Sequence, residues 1–426
     1  MGEYLSPSAS TQANGVDSMT ENDPFHVLIA GGGVVGLTIA QGCRENGIPF
    51  TIFERDAYDG ERSQGWALTL HWCLDQMEKT IGPERADSLP SAQVTTLDGD
   101  DKGNFLFLDA RNCEAKYRIP PTKRRLRLHR QKLRDVLVSG LDLQQGKKLA
   151  SFETPAEGGV IATFADGSVA KGSILIGADG NNSNVRRSMG MANPSLNKLP
   201  VNLVGVVRDF TAEQAAPILE LDPLLFQALD PDTGNYLWFS FQEANDHPDG
   251  TKSYKALVLV SWLAKDPVKD AIPETHAERI AVMKKRAANF GEPLRSAVFD
   301  IPDDLGFTTR LQLADFPPEP WDNFDGRVTL AGDAAHAMTM YRGEGANHGI
   351  LDAALLVDQL KAVHQGKVSL KEAITKYEEE MIPRTRRAVL KSRRAALDAH
   401  EWDKVNDDSP CVGARETPES AIVAAN

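Results

Sequence analysis

Residues 26 to 54 constrain the fold of this chain more than any other stretch, because they set out strand, glycine turn, helix and second strand in the order of a nucleotide-binding βαβ unit. Val27 to Ala30 is a short apolar run of the kind a parallel strand buried on both faces requires. Gly31, Gly33 and Gly36 then fill the three glycine positions of the dinucleotide fingerprint, with Val35 among them. Gly31 permits the tight turn out of the strand, Gly33 lets a pyrophosphate approach the backbone, and Gly36 lets the helix pack closely on the sheet. The positive end of that helix faces the phosphates. Glu54 ends the second apolar run, 18 residues beyond Gly36, where a carboxylate accepts hydrogen bonds from a ribose diol. The unit reads as an adenine dinucleotide site and does not by itself separate NAD from FAD.

A chain of 426 residues with 41% hydrophobic and 25% charged content is an ordinary globular protein with core enough for two or three domains. Its formal charge of -13 argues against a general nucleic-acid binder, and nine of those charges come from the ends. Residues 1 to 24 hold four acids and no Lys or Arg, residues 398 to 426 seven acids against two bases. Residues 1–24 and 401–426 therefore read as disordered tails. The four cysteines form no Cys-x-x-Cys pair, so neither a metal site nor a disulfide framework is expected, and the location expected is cytoplasmic. No signal segment or membrane-spanning stretch is evident.

Leu126 to His129 has a strand pattern, followed by an amphipathic helix through Arg130, Leu133, Val136 and Leu137. Seven bases fall between Lys123 and Arg134. A nuclear-localisation or nucleic-acid patch is one reading of such a run; the interleaved Leu126, Leu128 and Leu133 favour a packed strand and helix with Arg130 facing an anionic ligand. Residues 149 to 176 hold short β segments that end in the buried strand Ser173 to Ile176. Strand candidates then follow at Val201 to Phe210, Leu224 to Leu229, Asn235 to Phe241 and Lys255 to Leu263, with Asp230 to Gly234 as a hairpin loop. A last buried strand, Arg327 to Ala331, leads to helices expected at 346–363 and 370–400.

Two of these buried strands end in acidic motifs. One is Gly177-Ala-Asp179-Gly180-x-x-Ser183-x-x-Arg186, the other Gly332-Asp333-Ala-Ala-His336. An acid at the carboxyl end of a parallel strand lies in the crevice where α/β sheets bind ligands, and an acid that caps the next helix fits either motif alone. With the opening fingerprint, the ordered set resembles the FAD-dependent group A monooxygenases of the p-hydroxybenzoate hydroxylase type, over about residues 25 to 400.

The resemblance implies an α/β fold: a Rossmann-like FAD-binding domain of the GR2 type, an inserted antiparallel β-sheet substrate domain and a long C-terminal helix. The FAD domain is expected at 25–92, 123–195 and 311–400, the substrate domain at 93–122 and 196–310. It further implies that Glu54 binds the adenosine ribose, that Asp333 binds the ribityl chain, and that Asp179 lies in a motif serving FAD and the pyridine nucleotide. Arg130 matches the arginine beside the flavin, and Arg62 looks like an arginine of a mobile loop near FAD. Gly343, Gly345, Ala346 and Asn347 resemble the segment whose backbone amides approach the pyrimidine edge of the flavin. Met340 stands where family members commonly have proline. His336 reads as a structural turn residue first and a catalytic base second.

The activity implied is reduction of bound FAD by NADPH or NADH, reaction with O2 to a C4a-hydroperoxide, and hydroxylation of an activated aromatic or polyketide-like molecule. Baeyer–Villiger insertion or epoxidation on the same flavin, and an FAD-binding protein without turnover, are the alternatives. Arg208 and Tyr236 are the candidate catalytic residues, with Trp238 beside them. Arg208 would hold a phenolate or carboxylate, and the two aromatics, on one strand face, would stack on the substrate ring. An exposed arginine with core aromatics fits these positions equally. No metal, nucleic acid or membrane span is expected, and the chain would be a monomer or homodimer.

Overall fold

The computed structural model describes residues 23–58, 66–94, 105–119, 124–415 and 417–421. The expected N-terminal tail lies almost wholly outside them. The first unit is β1 (Val27–Ala30), α1 (Val34–Glu45) and β2 (Phe50–Phe53). All four residues of β1 are buried, which is why the strand is a continuous apolar run. Next come β3 (Ala67–Leu70), α2 (Leu74–Ile81), α3 (Pro83–Ala86), β4 (Phe105–Asp109) and β5 (Ala115–Ile119). Then β6 (Leu126–His129) runs directly into α4 (Arg130–Val138). A stretch of short strands follows: β7 (Leu143–Gln144), β8 (Leu149–Glu153), β9 (Val160–Phe164), β10 (Val169–Gly172) and β11 (Ile174–Gly177), with α5 (Asn184–Ser188) after it.

The longer strands are β12 (Asn197–Thr211), β13 (Leu225–Leu229), β14 (Tyr236–Asp246) and β15 (Lys252–Leu263), with α6 (Ala212–Leu219) between the first two. Helices α7 (His276–Arg286) and α8 (Leu294–Phe299) precede β16 (Thr309–Asp315) and β17 (Val328–Leu330). The chain closes with α9 (Asp333–His336), α10 (Gly345–His364) and α11 (Leu370–Asp398). The last begins with a reciprocal cap between Ser369 and Glu372, the Ser-x-x-Glu pattern that sets a helix start.

Five strands make a parallel sheet in the order β17-β11-β1-β2-β7, with Val27 in register with Ile174 on one side and Phe50 on the other. Its core takes Leu37 and Ile39 of α1 and Ile350 and Leu356 of α10. Strands β8 to β10 form the small meander, and β3 pairs with β6.

The second large sheet has the order β16-β12-β15-β14-β13-β4-β5. Two expectations change here. The sheet is mixed, antiparallel at every pairing but one: β4 runs parallel to β13, so the stretch after residue 93 joins the expected antiparallel sheet through a parallel pair. The sheet also keeps β16, so its last strand extends past the expected boundary at residue 310. One face packs on α6, α7 and α8 through Val204, Val206, Phe239, Ile280 and Leu294. The other carries Leu203, Tyr236, Trp238 and Leu259 toward the end of α11.

The expected C-terminal tail is also corrected. Val405, Cys411 and Ala421 are fully buried, the Ser409 hydroxyl donates to Asp398 Oδ2 at 2.7 Å, and Gln76 donates to the Ala421 carbonyl. A few apolar residues spaced along an acidic segment are enough to dock it. Among the described residues no helix is long and apolar enough to cross a membrane.

Candidate active site

The fingerprint loop takes the shape its glycines allow. Gly31 has φ of 121°, and a Cβ there would lie 2.3 Å from the Ala178 carbonyl oxygen. A Cβ on Gly36 would lie 2.0 Å from the Gly31 carbonyl oxygen, so α1 and the turn touch backbone to backbone. A Cβ on Gly33 would meet nothing within 4 Å, because Gly33 opens into a cavity of about 630 Å³. Open space at the first turn of a helix is what a phosphate needs.

Side chains hold this loop from two sides. The Gly32 N–H donates to Glu54 Oε2 at 2.8 Å, the Asp56 N–H donates to Glu54 Oε1 at 3.0 Å, and Arg134 Nε donates to the Gly32 carbonyl at 3.0 Å. Glu54 thus sits at the end of β2 against the loop.

The cavity lies between the parallel sheet and the mixed sheet. Gly33, Val35, Arg130, Ala331 and Asp333 line it from the first; Phe105, Leu225, Trp238 and Leu257 line it from the second. Asp333 opens α9 with its side chain exposed to this space and no hydrogen bond from a described residue. The space it is exposed to is itself enclosed by protein, and that desolvation raises its pKa against the pull of His336, Arg130 and Arg186. Arg130 opens α4; burial lowers its pKa, helped by Arg134, while Glu54 and Asp333 oppose the shift. It therefore stands in the field of both the Glu54 and the Asp333 carboxylate. Gly343, Gly345 and Ala346 also line the cavity, where α10 presents its unpaired N–H groups, and so does Met340.

Several expected site residues do other work. Asp179 accepts the Asn184 N–H at 2.6 Å and the Val185 N–H at 3.3 Å, so its carboxylate caps α5 and does not line the cavity. Its helix-cap alternative is the one the geometry shows, while Gly180 beside it does reach the cavity. Arg186 of the same motif ties two loops together through the Pro194 and Ala334 carbonyls, at 2.8 and 2.7 Å. Asn347 is fully buried: its Oδ1 accepts the His71 N–H at 3.0 Å and its Nδ2 donates to the Thr69 carbonyl at 2.9 Å, which pins α10 to β3. His336 is enclosed as well, 2.5 Å from Asp352 Oδ2, which also accepts the Gly332 N–H at 2.9 Å. Burial works against the Asp352 carboxylate, yet His336 and Arg384 together pull its pKa down.

The two candidate catalytic residues are corrected. Arg208 shares its sheet face with Val204, Val206 and Phe210, so it points toward α8 and away from the cavity. Its guanidinium lies 4.1 Å from the Phe210 ring centroid and donates to the Ala297 carbonyl at 3.3 Å. Tyr236 is on the cavity-side face but completely buried, donating to Gln227 Oε1 at 2.8 Å beside Tyr341 and His400. Trp238, two residues on, does line the cavity. Arg62 lies outside the described residues.

Sequence reasoning missed Trp66, His71, Arg127 and Arg415, all of which line the cavity. Burial, with Arg415, Arg125 and Arg342 nearby, takes His71 down to about 3, so its ring is neutral at ordinary pH. The basic run was a signal for Arg127; nothing local in the sequence marks Arg415.

Comparison with known proteins agrees with this geometry. Residues 299–392 match the FAD binding domain family. The chain is 46% identical over 351 residues to FAD-dependent monooxygenase dbaB of Emericella nidulans, covering 79% of this chain and 87% of the relative. It is 33% identical over 391 residues to FAD-dependent monooxygenase phnB of Penicillium herquei, covering 90% and 93%. Among solved structures, Klebsiella pneumoniae HpxO complexed with FAD and uric acid shares the fold at a TM-score of 0.70 and 19% identity, over 89% of this chain and 90% of that one. The open glycine, the cavity-facing Asp333 and the α10 N-terminus fit the parts of FAD, and the chain belongs to the FAD-dependent monooxygenases of group A.

Proposed function

We propose that the chain hydroxylates an aromatic or polyketide-like small molecule with NADPH or NADH and O2 as co-substrates. The observation that carries this reading is the single cavity joining Gly33 and Asp333 to an aromatic wall of Trp66, Phe105 and Trp238. Bound FAD would supply the redox chemistry, accepting reducing equivalents from the nicotinamide and passing one oxygen atom of O2 to the substrate.

The protein's own part is placement and electrostatics. Glu54 would hold the adenosine ribose, Gly33 and Arg130 the pyrophosphate, and Asp333 the ribityl chain. The α10 N-terminus at Gly345 and Ala346 would stabilise negative charge on the reduced ring. Trp66, Phe105 and Trp238 would stack on the substrate and exclude water. Arginines on the same wall favour an ionised hydroxyl, which makes an aromatic ring richer in electrons.

The test is to measure NADPH and NADH consumption by the purified, FAD-loaded protein against a panel of phenols, with mass spectrometry of products. The expected result is substrate-stimulated consumption and a product heavier by one oxygen on the ring. An oxygen inserted beside a carbonyl, or an epoxide, would overturn hydroxylation in favour of those chemistries.

A further inference from the structure

Besides Arg130, the cavity is lined by Arg125, Arg127, Arg342 and Arg415, and the last three differ in what neutralises them. Arg342 has a carboxylate partner, Glu344 Oε2, at 2.6 Å. Arg127 and Arg415 have no carboxylate within salt-bridge distance among the described residues. Arg127 is 7% exposed and donates to two hydroxyls, Thr69 Oγ1 at 2.9 Å and Ser240 Oγ at 2.6 Å, while its Nε has no partner there. Arg415 donates to two carbonyls, Arg342 O at 3.0 Å and Gly413 O at 2.7 Å. Hydroxyls and carbonyls orient a guanidinium without neutralising it. Burial lowers both, helped by Arg125 at Arg127 and by Arg342 at Arg415, where the more distant Glu344 opposes it: Arg127 falls to about 9 and Arg415 to about 10. Hydrogen bonds offset part of the desolvation cost of such a cation, and a bound anion would offset more.

The two cations flank one aromatic wall. The Arg415 guanidinium lies 5.0 Å from the Phe105 ring centroid, and Phe105 lies 5.6 Å from Trp238. Trp238 and Ser240 project from the same face of β14, and Ser240 holds Arg127.

On the reading of this cavity as the place of an aromatic substrate, on which the inference rests, the geometry points to an anion subsite. Arg127 and Arg415 hold an anionic oxygen of the substrate, a carboxylate or an ionised hydroxyl, with its ring against Phe105 and Trp238. Arg415 comes from beyond α11, so the docked C-terminal segment is a specificity element of the pocket.

Calorimetry on the FAD-loaded protein tests this without turnover. Two pairs of probes separate the sources of charge: salicylate against salicylamide for a carboxylate, and para-nitrophenolate against para-nitroanisole for an ionised hydroxyl. In at least one pair the anion is expected to bind about tenfold more tightly, as loss of a charge-assisted contact implies. Arg127→Gln and Arg415→Gln should each reduce that preference to about twofold or less with FAD content retained, and Arg415→Lys should restore part of it. Should Arg127→Gln fail to fold, the two Arg415 variants decide. Equal binding of ion and neutral partner, no binding by either anion, or a preference that survives Arg415→Gln would overturn the subsite. Phenol-stimulated NAD(P)H consumption would then still stand, whereas a parent protein whose consumption responds to no aromatic compound would overturn the reading beneath it.

Discussion

At the scale of single residues, two acids with the same sequence context have separate fates. Asp179 and Asp333 each follow a buried parallel strand, Asp179 ahead of the short helix α5 and Asp333 as the first residue of the short helix α9. Asp179 turns to the N–H groups of α5, while Asp333 leaves its own helix unsatisfied and faces the cavity. Asp333→Ala should therefore weaken FAD binding about tenfold or more, since a carboxylate hydrogen bond to a hydroxyl is worth about 1.5–3 kcal/mol. Titration of apoprotein with FAD measures it, and unchanged affinity would exclude the ribityl role. Arg208 carries the opposite lesson. Its residue type suggested an anion anchor, but strand periodicity shows only which neighbours share a face, not which face meets the cavity. Arg208→Gln should lower the melting temperature, because the Ala297 carbonyl and Phe210 ring lose their partner, and leave substrate KM unchanged. A raised KM with unchanged stability would return Arg208 to the pocket.

At the scale of elements, what was legible in the sequence was what is local. The βαβ unit could be read because turn, close packing and phosphate approach each demand glycine within six residues of one another. The mixed sheet could be read only as strands, since the parallel pairing of β4 with β13 joins segments more than a hundred residues apart. The basic run shows both sides of this limit. The interleaved leucines point to a packed strand and helix with Arg130 turned to a ligand, and Arg130 does line the cavity, but the place of Arg127 is set only when β14 brings Ser240 against it. Two glycines of the one turn predict different failures. Gly33 has φ of -80° and open space around its Cβ position, so Gly33→Val should keep the fold and lose FAD. Gly36→Ala drives a methyl into the Gly31 carbonyl, so α1 must move off the sheet at a cost of about 1–3 kcal/mol. Flavin absorbance and thermal melting of both variants separate the two; an FAD-free Gly36→Ala with parental stability would reverse the assignment.

At the scale of the whole molecule, acid should loosen the seam between the mixed sheet and the end of α11, because a neutral histidine is built into it. His400 is 3% exposed. Its Nδ1 lies 2.7 Å from the Ala396 carbonyl, which only accepts, so Nδ1 carries the proton and Nε2 accepts from Ser261 Oγ at 2.9 Å. Ser261 then accepts from the Tyr341 hydroxyl at 2.8 Å. Burial lowers His400 to about 4, against about 6.5 for an unfolded histidine. Between those values the unfolded chain binds a proton that the native chain refuses. Stability is therefore lost as pH falls from about 6.5 to 4, by about 1.4 kcal/mol per unit for each such group. His71 acts in the same direction down to about 3, whereas the raised carboxylates of Asp333 and Glu378 act against it. Comparison of two proteins isolates one histidine from these opposing groups. In urea denaturation, the parent should lose about 2 kcal/mol more than His400→Gln between about pH 7 and 5, because glutamine takes up no proton on unfolding. Equal losses would mean that the ring is protonated in the native protein, with the Ser261 bond reversed.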